Sequence, residues 1–257
     1  MDIWLAIILG LVQGFVEFLP ISSSGHLVIA EHLFSVNFNF VMLNVVLHLA
    51  TLIAVIIFYR KKVWYMITHP FCSLNKKLLI ATIPAIVAVL LFKSFVEAAN
   101  HSILFVGIGF LITAVLIGAA GFLAKRTIKP NPVGYRTSVF MGLAQAIAVL
   151  PGISRSGATL AIGLLDGAER KQTLEFSFLM SIPIIIASAV YELVFKNPFA
   201  GLVTGDILSL LLASCVAFAA AVFGIKLMQR LVEKVKFGWF VLYLVLAGAA
   251  TLVLALI

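Results

Sequence analysis

The stretches GLVQGFVEFLPISSSGHLVIA, residues 10–30, and GLAQAIAVLPGISRSGATLAI, residues 142–162, are two versions of one pattern and decide how this chain folds. Each has an apolar run that ends near a proline, a segment of serine and glycine, and a second, shorter apolar run. The chain is therefore predicted to be an internal duplication with an offset of 132. The first copy shares with the second Gly10, Leu11, Gln13, Ile21, Ser22, Ser24 and Gly25.

The composition is that of a protein embedded in a membrane. Of the 257 residues, 63% are hydrophobic and 11% are charged, whereas a soluble domain is about half apolar and about a quarter charged. No polar segment between the apolar runs is long enough to fold separately, so residues 1–257 are predicted to form a single transmembrane domain. The formal charge of +8 is attributed to basic cytoplasmic loops, and nucleic-acid binding is not expected.

The lengths of the apolar runs predict an all-α polytopic fold with six transmembrane helices and two re-entrant hairpins. A spanning helix needs about 20 apolar residues, and four shorter runs cannot cross alone, so each pair is predicted to form a helix–loop–helix hairpin buried in protein. The alternative is eight or more plain spans. The short runs are 3–19 with 26–34 and 138–150 with 158–165; the full spans are 40–59, 78–98, 103–124, 177–195, 207–228 and 238–257.

An odd number of spans in each half predicts an inverted-topology repeat, with halves at about 1–128 and 132–257. This topology places nearly all Lys and Arg residues on one face, which the positive-inside rule makes cytoplasmic. A multi-pass membrane protein with both termini on the outer face is therefore expected. The basic loops are 60–77, 125–137, 166–175 and 226–237.

The two hairpin tips are expected to meet near the bilayer midplane and to bind an anion. The helix after each Ser/Gly loop directs free backbone N–H groups and a positive dipole end at its ligand, and phosphate suits such a site. The alternative is that the small residues only cap helices and pack closely. The predicted substrate-binding residues are Gln13, Ser22, Ser24, Gly25, Ser154, Ser156, Gly157 and Thr159.

The ionisable differences between the copies single out four catalytic candidates. When the two copies are aligned, Glu17 and His26 correspond to a valine and an alanine in the second copy, and Arg155 corresponds to Ser23 in the first. An intramembrane arginine is costly and indicates function, and its planar fork suits a phosphate. Glu17 is alternatively only a partner for Arg155, and His26 is a general base, a general acid or a hydrogen-bond partner of a serine.

Two motifs resemble those of the undecaprenyl-pyrophosphate phosphatase family of the bacitracin-resistance type. They are QGFVEFLPISSSGHLVI and LPGISRSGATLAIG, and LEFSFLMSIPI from Leu174 also resembles that family. The resemblance implies a bacterial hydrolase that converts undecaprenyl pyrophosphate to the monophosphate carrier for cell-wall synthesis. It implies Glu17, Ser23, His26 and Arg155 as its functional residues.

The resemblance also implies a divalent cation, Mg²⁺ or Ca²⁺, with Glu17 and Gln13 as its expected ligands. Many family members have a glutamate where this chain has Gln13. An amide oxygen can ligate a hard cation, but it contributes no charge.

The mechanism predicted from these residues is attack by Ser23 on the terminal phosphorus, with His26 or Glu17 taking its proton. Direct attack by water, with Ser23 as a ligand, is equally compatible with the sequence. The rival function is an inverted-repeat transporter or flippase for a polyprenyl phosphate or another anion. The expected partners are the polyprenyl pyrophosphate and membrane lipid. The sequence does not determine the oligomeric state, and a homodimer is one of the alternatives. Glu175 is expected to cap the fourth span.

Overall fold

The computed structural model describes residues 3–34, 40–124, 130–196 and 204–256, and within these ranges the chain folds into twelve α-helices. The basic residues Lys125, Arg126 and Lys129 of the predicted cytoplasmic face lie outside them. The helices are α1 Ile3–Val16, α2 Ser23–Phe34, α3 Phe40–Phe58, α4 Arg60–Thr68, α5 Ser73–Leu91, α6 Lys93–Asn100, α7 Ile103–Ala124, α8 Tyr135–Ile147, α9 Arg155–Leu165, α10 Arg170–Phe195, α11 Thr204–Glu233 and α12 Gly238–Leu254.

Five of the described helices are long and apolar enough to cross a membrane: α3, α5, α7, α10 and α11. The sixth predicted span, 238–257, corresponds to α12, which has 17 residues and lies at the short end of the range for spanning helices. The protein is thus an all-α, multi-pass membrane protein.

Several helix boundaries differ from the sequence-based prediction, and two of these differences change how a segment or a residue is interpreted. The span predicted at 78–98 ends at Leu91, and Phe92 separates it from the short helix α6, whose sequence KSFVEAAN mixes charged and apolar residues. The prediction that Glu175 caps the fourth span is wrong, because α10 begins at Arg170 and the carboxylate of Glu169 accepts the N–H groups of its first turn. Glu175 lies inside α10 and pairs with Lys62 of α4.

Each of the two repeated stretches forms a pair of short helices joined by a loop. Residues 17–22 connect α1 to α2, and residues 148–154 connect α8 to α9. The first half-helix of each pair packs against a long helix of the other half of the chain, α1 against α11 and α8 against α5.

Small residues allow these cross-half contacts to be close. A Cβ at Gly10 would lie 2.4 Å from the carbonyl oxygen of Ala213, and one at Gly142 would lie 2.8 Å from that of Ala81. The offset of 132 that relates the two glycines also relates the two alanines. The same pairing therefore occurs twice, each time between opposite halves, and backbone approach of this kind requires glycine.

Candidate active site

The two loops lie against each other, so that α2 and α9 begin side by side. Ser156 Oγ donates a hydrogen bond of 3.0 Å to the backbone oxygen of Leu19. A Cβ at Gly157 would lie 3.1 Å from Cβ of Pro20, so this glycine permits the close approach. The structure therefore brings together the first turns of two helices from opposite halves of the chain.

Glu17 lies at the centre of a polar cluster where the two loops meet, and it is only 7% exposed. Its Oε2 accepts hydrogen bonds from Ser23 Oγ at 2.5 Å and from Gln13 Nε2 at 3.0 Å. Its Oε1 accepts a hydrogen bond from Nη2 of Arg155 and forms an ion pair with it. The i, i+4 spacing of Gln13 and Glu17 and the contact between the loops bring all four side chains together.

The backbone before α2 is bent so that Ser23 faces Glu17. Ser22 has φ of 65°, in the left-handed region that non-glycine residues rarely adopt. Its Oγ accepts a hydrogen bond of 3.4 Å from the N–H of Gly25 and lies 3.3 Å from Oγ of Ser24. Ser23 follows as the first residue of α2, and a strained residue beside a buried serine is typical of a functional site.

Two polar atoms of the cluster are buried without a hydrogen-bond partner among the described residues. They are Oε1 of Gln13, which is an acceptor, and Nη1 of Arg155, which is a donor. Buried polar groups are nearly always paired, and each exception asks for an explanation such as an absent ligand. An anion would satisfy the guanidinium nitrogen, and a cation or a proton donor would satisfy the amide oxygen.

His26 lies one helical turn beyond Ser23, but its ring hydrogen-bonds neither Ser23 nor Glu17. Its Nδ1 is 2.7 Å from the backbone oxygen of Ser22, and its Nε2 is 2.5 Å from the hydroxyl of Tyr243 on α12. The hydroxyl of Ser23 is hydrogen-bonded to Glu17 and not to the imidazole.

The side chains predicted from the second loop hold that loop in place. Ser154 caps α9 by accepting the N–H of Gly157 at 3.0 Å, and its own N–H donates to Thr113 Oγ1. Thr159 donates to the backbone oxygen of Arg155. These contacts are the capping and close packing that the sequence offered as the alternative role for small residues.

Two residues near the cluster were not among the predicted site residues. The ring of His48, on α3, has Nδ1 2.8 Å from the backbone oxygen of Asn44 and Nε2 3.7 Å from Glu17 Oε2. Tyr243 contacts His26 as described above. The presence of a lone histidine inside an apolar span was a usable signal for His48. The sequence offered no such signal for Tyr243, because a tyrosine in a membrane helix usually belongs to the interfacial belt.

Among the described residues no group of three or more His, Cys, Asp or Glu side chains could hold a metal ion, so a divalent cation at Glu17 would need phosphate oxygens of a substrate as further ligands. The orphaned amide oxygen of Gln13 and the Glu17 carboxylate are both hard oxygen donors. The single negative charge of Glu17 is neutralised by Arg155, and Mg²⁺ commonly binds through one carboxylate together with substrate phosphates.

An apolar cleft of about 510 Å³ opens beside the second loop, between α7, α8 and α9. On α9 its wall is formed by Ala158, Ile162 and Leu165, which follow Arg155 at helical spacing and so share one face of the helix with it. Leu143 of α8 also lines the cleft and is half exposed. The cleft thus begins one turn from the arginine of the polar cluster.

These features define the protein as a multi-pass α-helical membrane protein in which a serine, a carboxylate and an arginine meet between two contacting loops. The family model described as bacitracin resistance protein BacA matches residues 6–250. The chain therefore belongs to the BacA family, as the resemblance of its two motifs predicted.

Three relatives align with nearly the whole chain, and each is named undecaprenyl-diphosphatase. The one from Carboxydothermus hydrogenoformans is 34% identical over 99% of this chain and 98% of the relative. The one from Christiangramia forsetii is 37% identical, and the alignment covers 99% of this chain and 99% of the relative. The one from Elusimicrobium minutum is 36% identical, and the alignment covers 98% of this chain and 97% of the relative.

Proposed function

We propose that this protein hydrolyses undecaprenyl pyrophosphate to undecaprenyl phosphate and inorganic phosphate in the bacterial plasma membrane. The activity would return the lipid carrier to peptidoglycan synthesis and thereby oppose bacitracin. Support comes from membership of the BacA family and from full-length relatives named undecaprenyl-diphosphatase. The structural observation that carries the proposal is the hydrogen-bonded chain Ser23–Glu17–Arg155, which joins a hydroxyl, a carboxylate and a cation from two loops.

Substrate binding is assigned to the contacting helix starts and to Arg155. The buried, unpaired Nη1 of Arg155 would donate to a phosphate oxygen while Nη2 keeps its bond to Glu17. The N-termini of α2 and α9 add free N–H groups and positive dipole ends. Ser22, Ser24 and Gly25 would line the phosphate site, and Ser154, Ser156, Gly157 and Thr159 would keep α9 in place.

The first chemical step is assigned to Ser23 as nucleophile and Glu17 as its base. Ser23 Oγ attacks the terminal phosphorus while its proton moves to Glu17 Oε2, with which it already shares a hydrogen bond of 2.5 Å. The bond from that phosphorus to the bridging oxygen breaks, and undecaprenyl phosphate leaves. Arg155 stabilises the charge on the phosphoryl oxygens, which is most of what such a transfer needs.

The second step hydrolyses the phosphoserine and regenerates the free Ser23 hydroxyl. Water attacks the phosphoserine, a proton of that water is passed to His26, and Ser23 Oγ leaves as it regains the proton held by Glu17. The imidazolium of His26 then gives its proton to the departing phosphate. His26 is suited to this step because it lies one turn from Ser23 and its Nε2 is the acceptor nitrogen.

A divalent cation, Mg²⁺ or Ca²⁺, would be held by Glu17 and Gln13 together with the substrate phosphates. When bound, it supplies positive charge that neutralises the pyrophosphate oxygens. Because Gln13 contributes an oxygen but no charge, this chain would hold the cation mainly in the presence of substrate.

The proposed architecture is a single domain of two inverted repeats, about 1–128 and 132–257, with two re-entrant hairpins and both termini on the outer face. The helix–loop–helix pairs and the doubly occurring contact of Gly10 with Ala213 and of Gly142 with Ala81 support it. One copy of the chain supplies every residue of the proposed site, so the site itself does not require a homodimer.

The test of the proposed function is phosphate release from undecaprenyl pyrophosphate by the purified protein in detergent. We expect release that stops with a chelator and returns with Mg²⁺ or Ca²⁺. A folded protein that releases no phosphate with either cation would contradict the proposal. Vesicles that measure lipid movement would then test the rival, an inverted-repeat transporter or flippase.

The apolar cleft between α7, α8 and α9 is proposed to hold part of the prenyl tail. Its wall continues the face of α9 that begins at Arg155, so a tail attached to the bound phosphates can enter it directly. L143W would partly fill the cleft. Since lipid is as apolar as the cleft, only packing is lost, and KM for undecaprenyl pyrophosphate should rise about threefold, or about 0.65 kcal/mol.

Isopentenyl pyrophosphate, whose single isoprene unit is too short to extend along the cleft, should show no change of KM in L143W. The matched control is L246W, which replaces an exposed leucine of α12 that does not line the cleft. Equal effects of L143W on both substrates, or the same effect from L246W, would exclude the cleft as the tail site.

A further inference from the structure

The hydrogen bonds of His26 define which of its nitrogens carries the proton. The backbone oxygen of Ser22, 2.7 Å from Nδ1, can only accept, so Nδ1 must donate. Neutral imidazole has one donor and one acceptor nitrogen, and Nε2 is therefore the acceptor. The hydroxyl of Tyr243, 2.5 Å away, consequently donates its proton to Nε2.

The ring of His26 is also held by aromatic contacts on two sides. The Tyr243 ring is stacked on it with centroids 5.7 Å apart and planes 7° apart, and the Phe110 ring of α7 has its centroid at 5.2 Å. Tyr243 belongs to α12, which packs against α7. The imidazole is therefore oriented by three elements that are far apart in the sequence.

The hydroxyl of Tyr243 stands at the one nitrogen of His26 that can take a proton. A phenol hydroxyl donates one hydrogen bond and can accept others, so while it donates to Nε2 its oxygen can accept from a further donor. Tyr243 as a whole is 43% exposed. A proton that enters at this oxygen reaches Nε2 as the phenol hydrogen moves across, and neither ring has to turn.

We infer that Tyr243 is a positioning residue for His26 that also completes its proton path during turnover. The O–H bond of Tyr243 breaks as the Nε2–H bond forms, and the phenol oxygen takes a proton from the attacking water in the same event. The reverse transfer later restores both residues. The inference rests on the proposed phosphatase activity. It means that α12, from the second half of the chain, takes part in a step that is assigned to His26 of the first half.

The test is Y243F in wild-type and H26Q backgrounds, with phosphate release from undecaprenyl pyrophosphate as the measurement. Phenylalanine keeps the stacked ring and removes only the hydroxyl. We expect kcat to fall about tenfold in the wild-type background, about 1.4 kcal/mol of barrier, with KM unchanged. H26Q alone should lose about a hundredfold, as expected for a lost general base, and adding Y243F to it should cost nothing more.

The matched control is Y65F. Tyr65 also contacts a histidine ring, that of His69, with centroids 4.5 Å and planes 23° apart, but it lies on α4 outside the site, so its variant should keep the wild-type kcat. A tyrosine with only a packing role predicts an unchanged kcat for Y243F, or the same loss in both backgrounds, and either result would overturn the inference. An inactive wild-type protein would instead refute the proposed function.

The solvent deuterium isotope effect on kcat gives an independent reading. A proton path through Tyr243 and His26 predicts an isotope effect in the wild type that is reduced in Y243F. Melting temperatures of the two proteins in detergent should agree, which would show that a lower kcat does not come from unfolding. An isotope effect that Y243F leaves as large as in the wild type would count against the path.

Discussion

E17Q is expected to lower the rate of phosphate release by about a thousandfold, within the range for loss of a general base. Glutamine has nearly the shape of glutamate, so the contacts with Ser23 and Gln13 can persist in part. What disappears is the negative charge that accepts the serine proton and orients Arg155. The rate constant of the chemical step should therefore fall.

The same substitution should also destabilise the protein, which allows catalysis to be separated from folding. Removing one partner of a buried ion pair costs about 3–5 kcal/mol because the other charge is left alone. E17Q should therefore melt at a lower temperature than wild type. The double variant E17Q/R155Q, which removes both charges, should regain most of that temperature and stay inactive.

The control for these variants is E192Q. Glu192 is a partly buried carboxylate of α10 that pairs with Lys196 one turn later, and its variant should keep the wild-type rate. An E17Q protein that releases phosphate at the wild-type rate would exclude Glu17 as the base. Recovery of activity in the double variant would assign to the pair a purely structural role.

S23A is expected to reduce phosphate release by about a thousandfold or more, because loss of a nucleophile removes the step that it begins. A covalent phosphoserine at Ser23 should be recovered from wild-type protein quenched with acid during turnover and analysed by mass spectrometry. S23A should give no phosphorylated peptide. The two measurements together distinguish a nucleophile from a serine that only binds the phosphate.

The matched control is S214A. Ser214 is a partly buried helix serine of α11 whose hydroxyl bonds only back to Leu210 of its own helix, and its variant should retain full activity. Retention of most turnover by S23A, with no phosphoserine in the wild type, would favour direct attack by water. Glu17 would then activate that water in place of the serine.

The two pairs of short helices could be predicted from the sequence because the pattern that forms each of them is local and occurs twice. Comparison of the copies also picked out Glu17, Ser23 and Arg155, which the structure joins through hydrogen bonds. The reason is that a charge inside an apolar segment is too costly to persist without a partner. His26 came from the same comparison, but its partners did not, because they depend on how helices pack.

Helix ends were predicted less well than helix positions. Hydropathy locates apolar runs but not the ends of helices. Glu169 caps α10, which begins seven residues before the predicted start at 177, and α5 ends at Leu91 although the span was predicted to continue to 98. Whether α1 and α12 cross the bilayer also depends on tilt and neighbours, because 14 and 17 residues are near or below the length that a span needs.

The sequence by itself determined that this chain is a multi-pass helical membrane protein of the BacA family with polar residues gathered in its two Ser/Gly loops, because composition and motifs are properties of the chain. Only the tertiary structure decided that Ser23 bonds Glu17 and that His26 bonds Tyr243. Those pairings depend on α1, α2 and α12 packing together, and residues 26 and 243 share no local pattern that could reveal their contact.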